Sequence, residues 1–223
     1  MIKSPEQQDL AAWHKMRERK VKERIAIANQ ARGLLMKMGI TVKKGIGHIR
    51  EFLPLTIEDP KNGLSMTARD YLSEIYSELV QCDKTIKKYE AKITIFSKHN
   101  DACKRLQKIP GVGPITATAI VAYAGDATQY KNGRAFAASL GLTPKEHSSG
   151  GKQKLLGLTK RGNGTIRMLL IQGARIVARY VIAKGRGNTA TQKWLQSVVV
   201  RRGKHIAAVA LANKTARVIW NLL

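Results

Sequence analysis

The residues best placed to do chemistry lie in "HSSGGKQKLLGLTKRGN", residues 147–163. There Ser148 and Ser149 run into Gly150 and Gly151 and are followed by Lys152, Lys154, Lys160 and Arg161, with no carboxylate in the stretch. A serine hydroxyl is a weak nucleophile until a base or an electrostatic setting activates it. When the target is a phosphodiester, the protein's work is to place the nucleophile in line and to stabilise charge on the phosphate oxygens. Lysine and arginine do the second task well. Lys152, Lys154, Lys160, Arg161 and Arg167 are therefore assigned to phosphate, and the glycines to a loop that can approach it. On spacing alone a loop that binds phosphate without attacking it is the simpler reading. His147 is close enough to be imagined as a base, although a lone loop histidine carries little signal.

A second phosphate element is "LQKIPGVGPITATAIVAYAG", Leu106–Gly125. Helical segments flank Pro110-Gly111-Val112-Gly113, the pattern of a helix-hairpin-helix over residues 106–125. Gly111 and Gly113 allow a tight turn. The amides there, with the N-terminus of the helix starting at Pro114, point at an anion. Ile109, Val112, Ile115 and Ile120 supply the packing. Such a hairpin holds duplex backbone without reading sequence. The plainer alternative is a glycine turn between two core helices.

Both elements sit in the more cationic part of the chain. The 223 residues carry 40 Lys or Arg against 15 Asp or Glu, a net charge of +25. Residues 101–223 hold 21 of those cations against Asp101, Asp126 and Glu146 alone, a net +18. A folded surface with that bias repels itself unless it meets a polyanion, and nucleic acid is the leading class of partner. A structural RNA binder would show the same bias. A membrane partner is disfavoured, because no apolar run approaches the roughly 20 residues that span a bilayer and no lipid-anchoring face is evident. The N-terminus has no apolar signal segment, which leads to the expectation of a cytoplasmic, nucleoid-associated protein. Cys82 and Cys103 form no metal or redox motif and are expected to be reduced.

The elements that must position these residues read as helices. Ser4-Pro5-Glu6-Gln7 carries a capping-box start, and the helix it opens runs to about Met38, with Gly39 as its stop. Residues 40–64 are a connector with room for one short helix. Leu72, Ile75, Leu79, Cys82, Ile86, Tyr89, Ile93 and Phe96 alternate by three and four, an a/d seam. Residues 1–99 thus form a helical coiled-coil region, either an antiparallel hairpin or a dimer arm. Residues 100–223 form a second, compact helical domain, with helices at 101–109, 114–124, 132–140, 164–183, 189–201 and 204–222. Breaks fall at Gly185–Asn188 and Gly203, and a glycine-rich loop or short β-hairpin occupies 143–160. Trp194 and Trp220 are read as core anchors. The fold class is all-α.

The stretch from Leu106 through "GLTPKEHSSGGK" to Val177 closely resembles the C-terminal transposase domain of the insertion sequence one-hundred-and-ten family, whose transposases are of the DEDD type. "KSPEQQDLAAWHKMRERKVKERIAIANQARGLLMKMGI" resembles the segment that follows the RuvC-like domain in that family. The resemblance implies a DNA recombinase guided by a structured RNA and working as an oligomer through its coiled coils. It implies a composite active site, in which acidic residues of the RuvC-like domain bind Mg2+ and a serine becomes joined to DNA. Ser149, which precedes the first glycine, matches the family's nucleophile, and Ser148 is the alternative. No DEDD tetrad or other metal site can be assembled here. The expectation is a truncated transposase, catalytically incomplete alone, with no metal of its own. The competing expectation is a non-catalytic nucleic-acid-binding module that pairs with a full-length transposase.

Overall fold

The computed structural model describes residues 3–183 and 189–223. In chain order the described elements are α1 (Pro5–Lys37), α2 (Ile46–Glu58), α3 (Met66–His99), α4 (Asp101–Gln107), α5 (Pro114–Ala124), a 3-10 turn (Ala127–Gln129), α6 (Gly133–Ser139), β1 (Pro144–Glu146), β2 (Leu155–Leu158), α7 (Gly164–Ala183) and α8 (Ala190–Leu222). The all-α class is as expected, with the two short strands where the glycine-rich loop was placed. The chain divides into two units, residues 12–92, and residues 1–11 with 93–223.

In the unit of residues 12–92, the a/d seam of α3 is buried. Leu72, Ile75, Leu79, Cys82 and Ile86 form one core with Ala28, Ala31 and Leu35 of α1 and with Ile49 and Leu53 of α2. The seam is thus filled within the chain. Arg17 pairs with Glu90 at 2.6 Å and Arg24 with Asp83 at 3.0 Å, so position rises along α1 as it falls along α3. Of the two arrangements the seam allowed, the antiparallel hairpin is the one formed. Asp83, only 7% exposed, also takes Arg50 of α2 at 2.9 Å, so one carboxylate ties three helices. Two cations and two hydrogen bonds offset its desolvation.

His14 of α1 gives this unit a pH dependence. Burial first, and the nearby Arg17 charge second, push its imidazole from 6.5 down to about 4. Protonation therefore favours the unfolded chain. The stability involved is fully present above about 6.5 and is lost progressively as pH falls toward 4. Between pH 7 and 4.5 the wild-type protein is expected to lose on the order of 2 kcal/mol more than His14→Gln, discounted for partial exposure. Urea titrations at the two pH values check this, and parallel losses in both proteins would refute it.

The other unit holds the candidate chemistry. The capping box is present at the start of α1: the Gln7 amide donates to Ser4 Oγ at 3.2 Å and the Ser4 amide donates to Gln7 Oε1 at 3.1 Å. Phe136, Leu106, Ile120, Leu140, Ile166 and Leu170 are fully buried. α7 packs along α8, α6 against α8, and α5 against α4 and α7. Alanines 207, 208, 212 and 216 of α8 are buried and let its neighbours approach closely. The break expected at Gly203 is a kink inside α8, with φ 81 and ψ 163. The break expected at Gly185–Asn188 lies outside the described residues. Trp220 packs on the core and donates its indole N–H to the carbonyls of Ala127 and Tyr130, at 3.1 and 3.2 Å.

Candidate nucleic-acid interface

The serine loop is the tip of an antiparallel β-hairpin. Pro144 pairs with Leu158 and Glu146 with Leu155, with an irregularity between them. Beyond the strands, Ser149 and Lys152 form an isolated bridge, closed by the Lys152 amide donating to the Ser149 carbonyl at 3.1 Å. The two residues between them, Gly150 at φ 56 and Gly151 at φ 74, are both left-handed. That pair of signs is the type I′ turn, whose twist matches a hairpin and which Gly-Gly adopts readily. A Cβ on either glycine would meet nothing within 4 Å. Conformation, not crowding, demands glycine here.

The two serines are held differently. Ser148 Oγ donates to Glu146 Oε1 at 2.7 Å and accepts the Lys154 amide at 3.2 Å, so it laces the hairpin neck. Gln153 Nε2 also donates to Glu146 Oε1, at 3.4 Å. Ser149 is exposed, and its hydroxyl has no hydrogen-bond partner among the described residues. Lys152, Lys154, Lys160 and Arg161 are exposed and enter no ion pair among the described residues. Glu146 escaped the sequence reading because it lies just outside the serine stretch. The signal was its place two residues before Ser148, the spacing that puts side chains on one face of extended chain.

The hairpin's root is a crossing of backbones. Gly141 and Gly162 have φ 68 and 82. A Cβ on Gly162 would fall 1.8 Å from the Ser139 carbonyl oxygen, and one on Gly141 would fall 2.0 Å from that of Arg161. Arg167 Nη1 laces the same crossing, donating to Leu140 O at 2.9 Å and Arg161 O at 3.2 Å. Arg167 therefore holds the root of the hairpin, while the other four cations lie on or next to its exposed strands and tip.

The 110–113 turn is seated on α7. Gly111 has φ 87, and a Cβ there would lie 2.9 Å from the carbonyl carbon and oxygen of Gly173. In return, a Cβ on Gly173 would lie 2.0 Å from the Gly111 carbonyl oxygen. Two glycines far apart in sequence thus allow backbone to rest on backbone. Gly173 was not singled out from sequence. Its signal was a glycine inside an otherwise sound helix, next to Ala174. Gly113 is different: its φ of −93 is ordinary, and it serves as the N-cap of α5 without a side-chain cap, with Pro114 following. That leaves the first amides of α5 without a capping side chain, as an anion-binding N-terminus requires.

Beside the hairpin root an open groove of about 1190 Å³ runs between the start of α6, residues 142–158 and α8. Among the described residues no group of three or more His, Cys, Asp or Glu is placed to hold a metal ion, and no helix is long and apolar enough to cross a membrane.

Fold and site together define a helical protein whose cationic unit presents a serine on a tight two-glycine turn. Residues 103–191 match the family described as Transposase IS116/IS110/IS902 family. The chain is 43% identical over 221 residues to the transposase for insertion sequence element IS1111A of Coxiella burnetii, covering 99% of this chain and 60% of that one. It is 40% identical over 223 residues to a probable family 20 transposase of Pseudomonas aeruginosa, covering 100% and 65%. It is 32% identical over 219 residues to the transposase for IS1328 of Yersinia enterocolitica, covering 98% and 64%. The chain thus spans less than two thirds of each of these relatives. The resemblance read from the sequence holds at the level of the IS116/IS110/IS902 transposase family.

Proposed function

We propose that this chain is the portion of an insertion-sequence transposase that grips DNA phosphate and delivers Ser149 as the nucleophile. The observation that carries the reading is the position of Ser149. It is exposed at the shoulder of a two-glycine turn, unpartnered and among unpaired cations as far as the described residues go, inside the family match. In the reaction, Ser149 Oγ gives up its proton and forms a bond to phosphorus. The P–O bond to one DNA strand breaks, and the departing strand oxygen takes a proton. The phosphodiester is conserved as a serine–DNA ester, which the exchanged strand then attacks. Lys152, Lys154, Lys160 and Arg161 stabilise charge on the phosphate oxygens, and Arg167 holds the hairpin that carries them. The helix-hairpin-helix at 106–125, through the amides of Gly111 and Gly113 and the N-terminus of α5, holds the duplex backbone nearby. Mg2+ belongs to the chemistry through carboxylates that the described residues do not assemble. The chain is accordingly incomplete for strand transfer alone. A guide RNA and self-association of the chain belong to the same reading.

The lack of an assembled carboxylate set among the described residues also favours a second reading, a non-catalytic module that binds nucleic acid and pairs with a full-length transposase. Both readings place phosphate on the hairpin. Lys152→Gln with Lys154→Gln is expected to reduce the slope of log affinity against log salt by about 2, roughly one per cation. Fluorescence anisotropy with duplex DNA over a salt series reads this. An unchanged slope in a folded double variant would remove the hairpin from the interface.

A further inference from the structure

We infer that the groove beside the hairpin root takes an unpaired nucleotide of the DNA whose phosphate is presented to Ser149. The inference rests on the proposed function and assigns a site to it. One wall is the hairpin itself: Leu156, Gly157 and Leu158 belong to the strand that returns from the serine turn. DNA that reaches the tip therefore has its neighbouring nucleotides over this groove.

The lining has the chemistry of a nucleotide. Its apolar surface includes Leu156, 47% exposed, and Ile206, 54% exposed. It also includes the Trp194 indole, one face of which Lys214 Nζ covers at 4.8 Å from the ring centroid. An extruded base is held by aromatic and apolar side chains in this way. Three amides line the same space, and two of them are half-used. Asn132 Oδ1 accepts the Ala135 amide, leaving Nδ2 to donate. Asn213 Nδ2 donates to the Leu142 carbonyl, leaving Oδ1 to accept. Asn221 has both ends available among the described residues. A donor and an acceptor held by fixed partners suit the edge of a base, which offers both.

The charge selects between occupants. Arg134, Lys214 and Arg217 line the groove with no carboxylate among the lining residues. An extruded nucleotide carries its own phosphate, which those cations meet. The volume of about 1190 Å³ exceeds that of most small-ligand pockets and admits a base together with its backbone. An acidic helix from a protein partner would meet the cations too, but it would leave the amide pair and the Trp194 ring without a matching group.

The test uses the full chain carrying Ser149→Ala, so that binding is read without chemistry. Two labelled DNA duplexes are compared, identical except that one has a single unpaired adenine. The bulged duplex is expected to bind about tenfold more tightly. Val209→Trp, which fills the groove, is expected to abolish that preference while affinity for the paired duplex stays within about twofold. Asn221→Asp places a carboxylate on the lining without filling it and is expected to cut the preference at least about threefold. This second variant keeps the test decisive if Val209→Trp does not fold. Preference retained in the folded variants would overturn the inference. So would a stronger preference for the matching bulged RNA. A change in sedimentation with Val209→Trp at unchanged preference would also overturn it, marking the groove as a protein contact. Failure to form a serine–DNA ester would sink the nucleophile reading and leave this preference standing.

Discussion

Gly162→Ala is expected to destabilise the unit of residues 1–11 and 93–223 by roughly 3 kcal/mol or more, an effect far larger than its surface position suggests. Two causes add. The residue sits at φ 82, and its Cβ would fall 1.8 Å from the Ser139 carbonyl oxygen, which belongs to backbone that cannot rotate away. The crossing that Arg167 laces would have to open, and the serine hairpin would lose its root. Gly150→Ala is the control. It carries the same sign of φ, but a Cβ there meets nothing within 4 Å, so only conformational strain remains, about 1 kcal/mol. Denaturant titration of both variants checks the contrast. Equal losses would show that crowding at the root does not decide stability.

Gly173→Ala is expected to unseat the turn that carries Gly111. Alanine is the better helix former, so propensity alone predicts a gain of up to about 1 kcal/mol. The contact predicts the reverse, because the new Cβ would lie 2.0 Å from the Gly111 carbonyl oxygen. A backbone clash of that depth is expected to win, with a net loss of about 2–4 kcal/mol. The displaced turn no longer presents the α5 N-terminus to phosphate, so duplex affinity falls at least about tenfold and the salt slope becomes shallower. A stabilised protein with unchanged binding would refute the seating of this turn on α7.

What the sequence disclosed followed from how locally each feature is determined. Helix ends were legible because caps and breakers act within a few residues: Ser4 with Gln7, Gly39, Gly113 with Pro114, and Gly203. The α3 seam was legible from its spacing, but its partner was not. An a/d stripe looks the same whether a second chain or α1 of the same chain fills it. Gly111 and Gly113 read as one device from sequence and are two in the fold, one at φ 87 against Gly173 and one an ordinary N-cap. Arg167 read as one cation among several because nothing local reveals that its guanidinium meets the carbonyls of Leu140 and Arg161. Ser148 and Ser149 are equivalent neighbours in the sequence, because nothing local shows that the hairpin sets Ser148 on Glu146 and leaves Ser149 open. The groove was invisible because its walls come from residues between 132 and 221.

The most direct test of the central claim maps the atom joined to DNA. This chain is mixed, with Mg2+, with a full-length transposase of the family whose serine aligned with Ser149 is alanine, and with that transposase's element-end DNA. The covalent adduct is then digested and located by tandem mass spectrometry. A nucleotide adduct is expected on this chain at Ser149, absent from Ser149→Ala and present in Ser148→Ala. An adduct on Ser148 or on any other residue would contradict it, as would the absence of any adduct on this chain while DNA binding is intact.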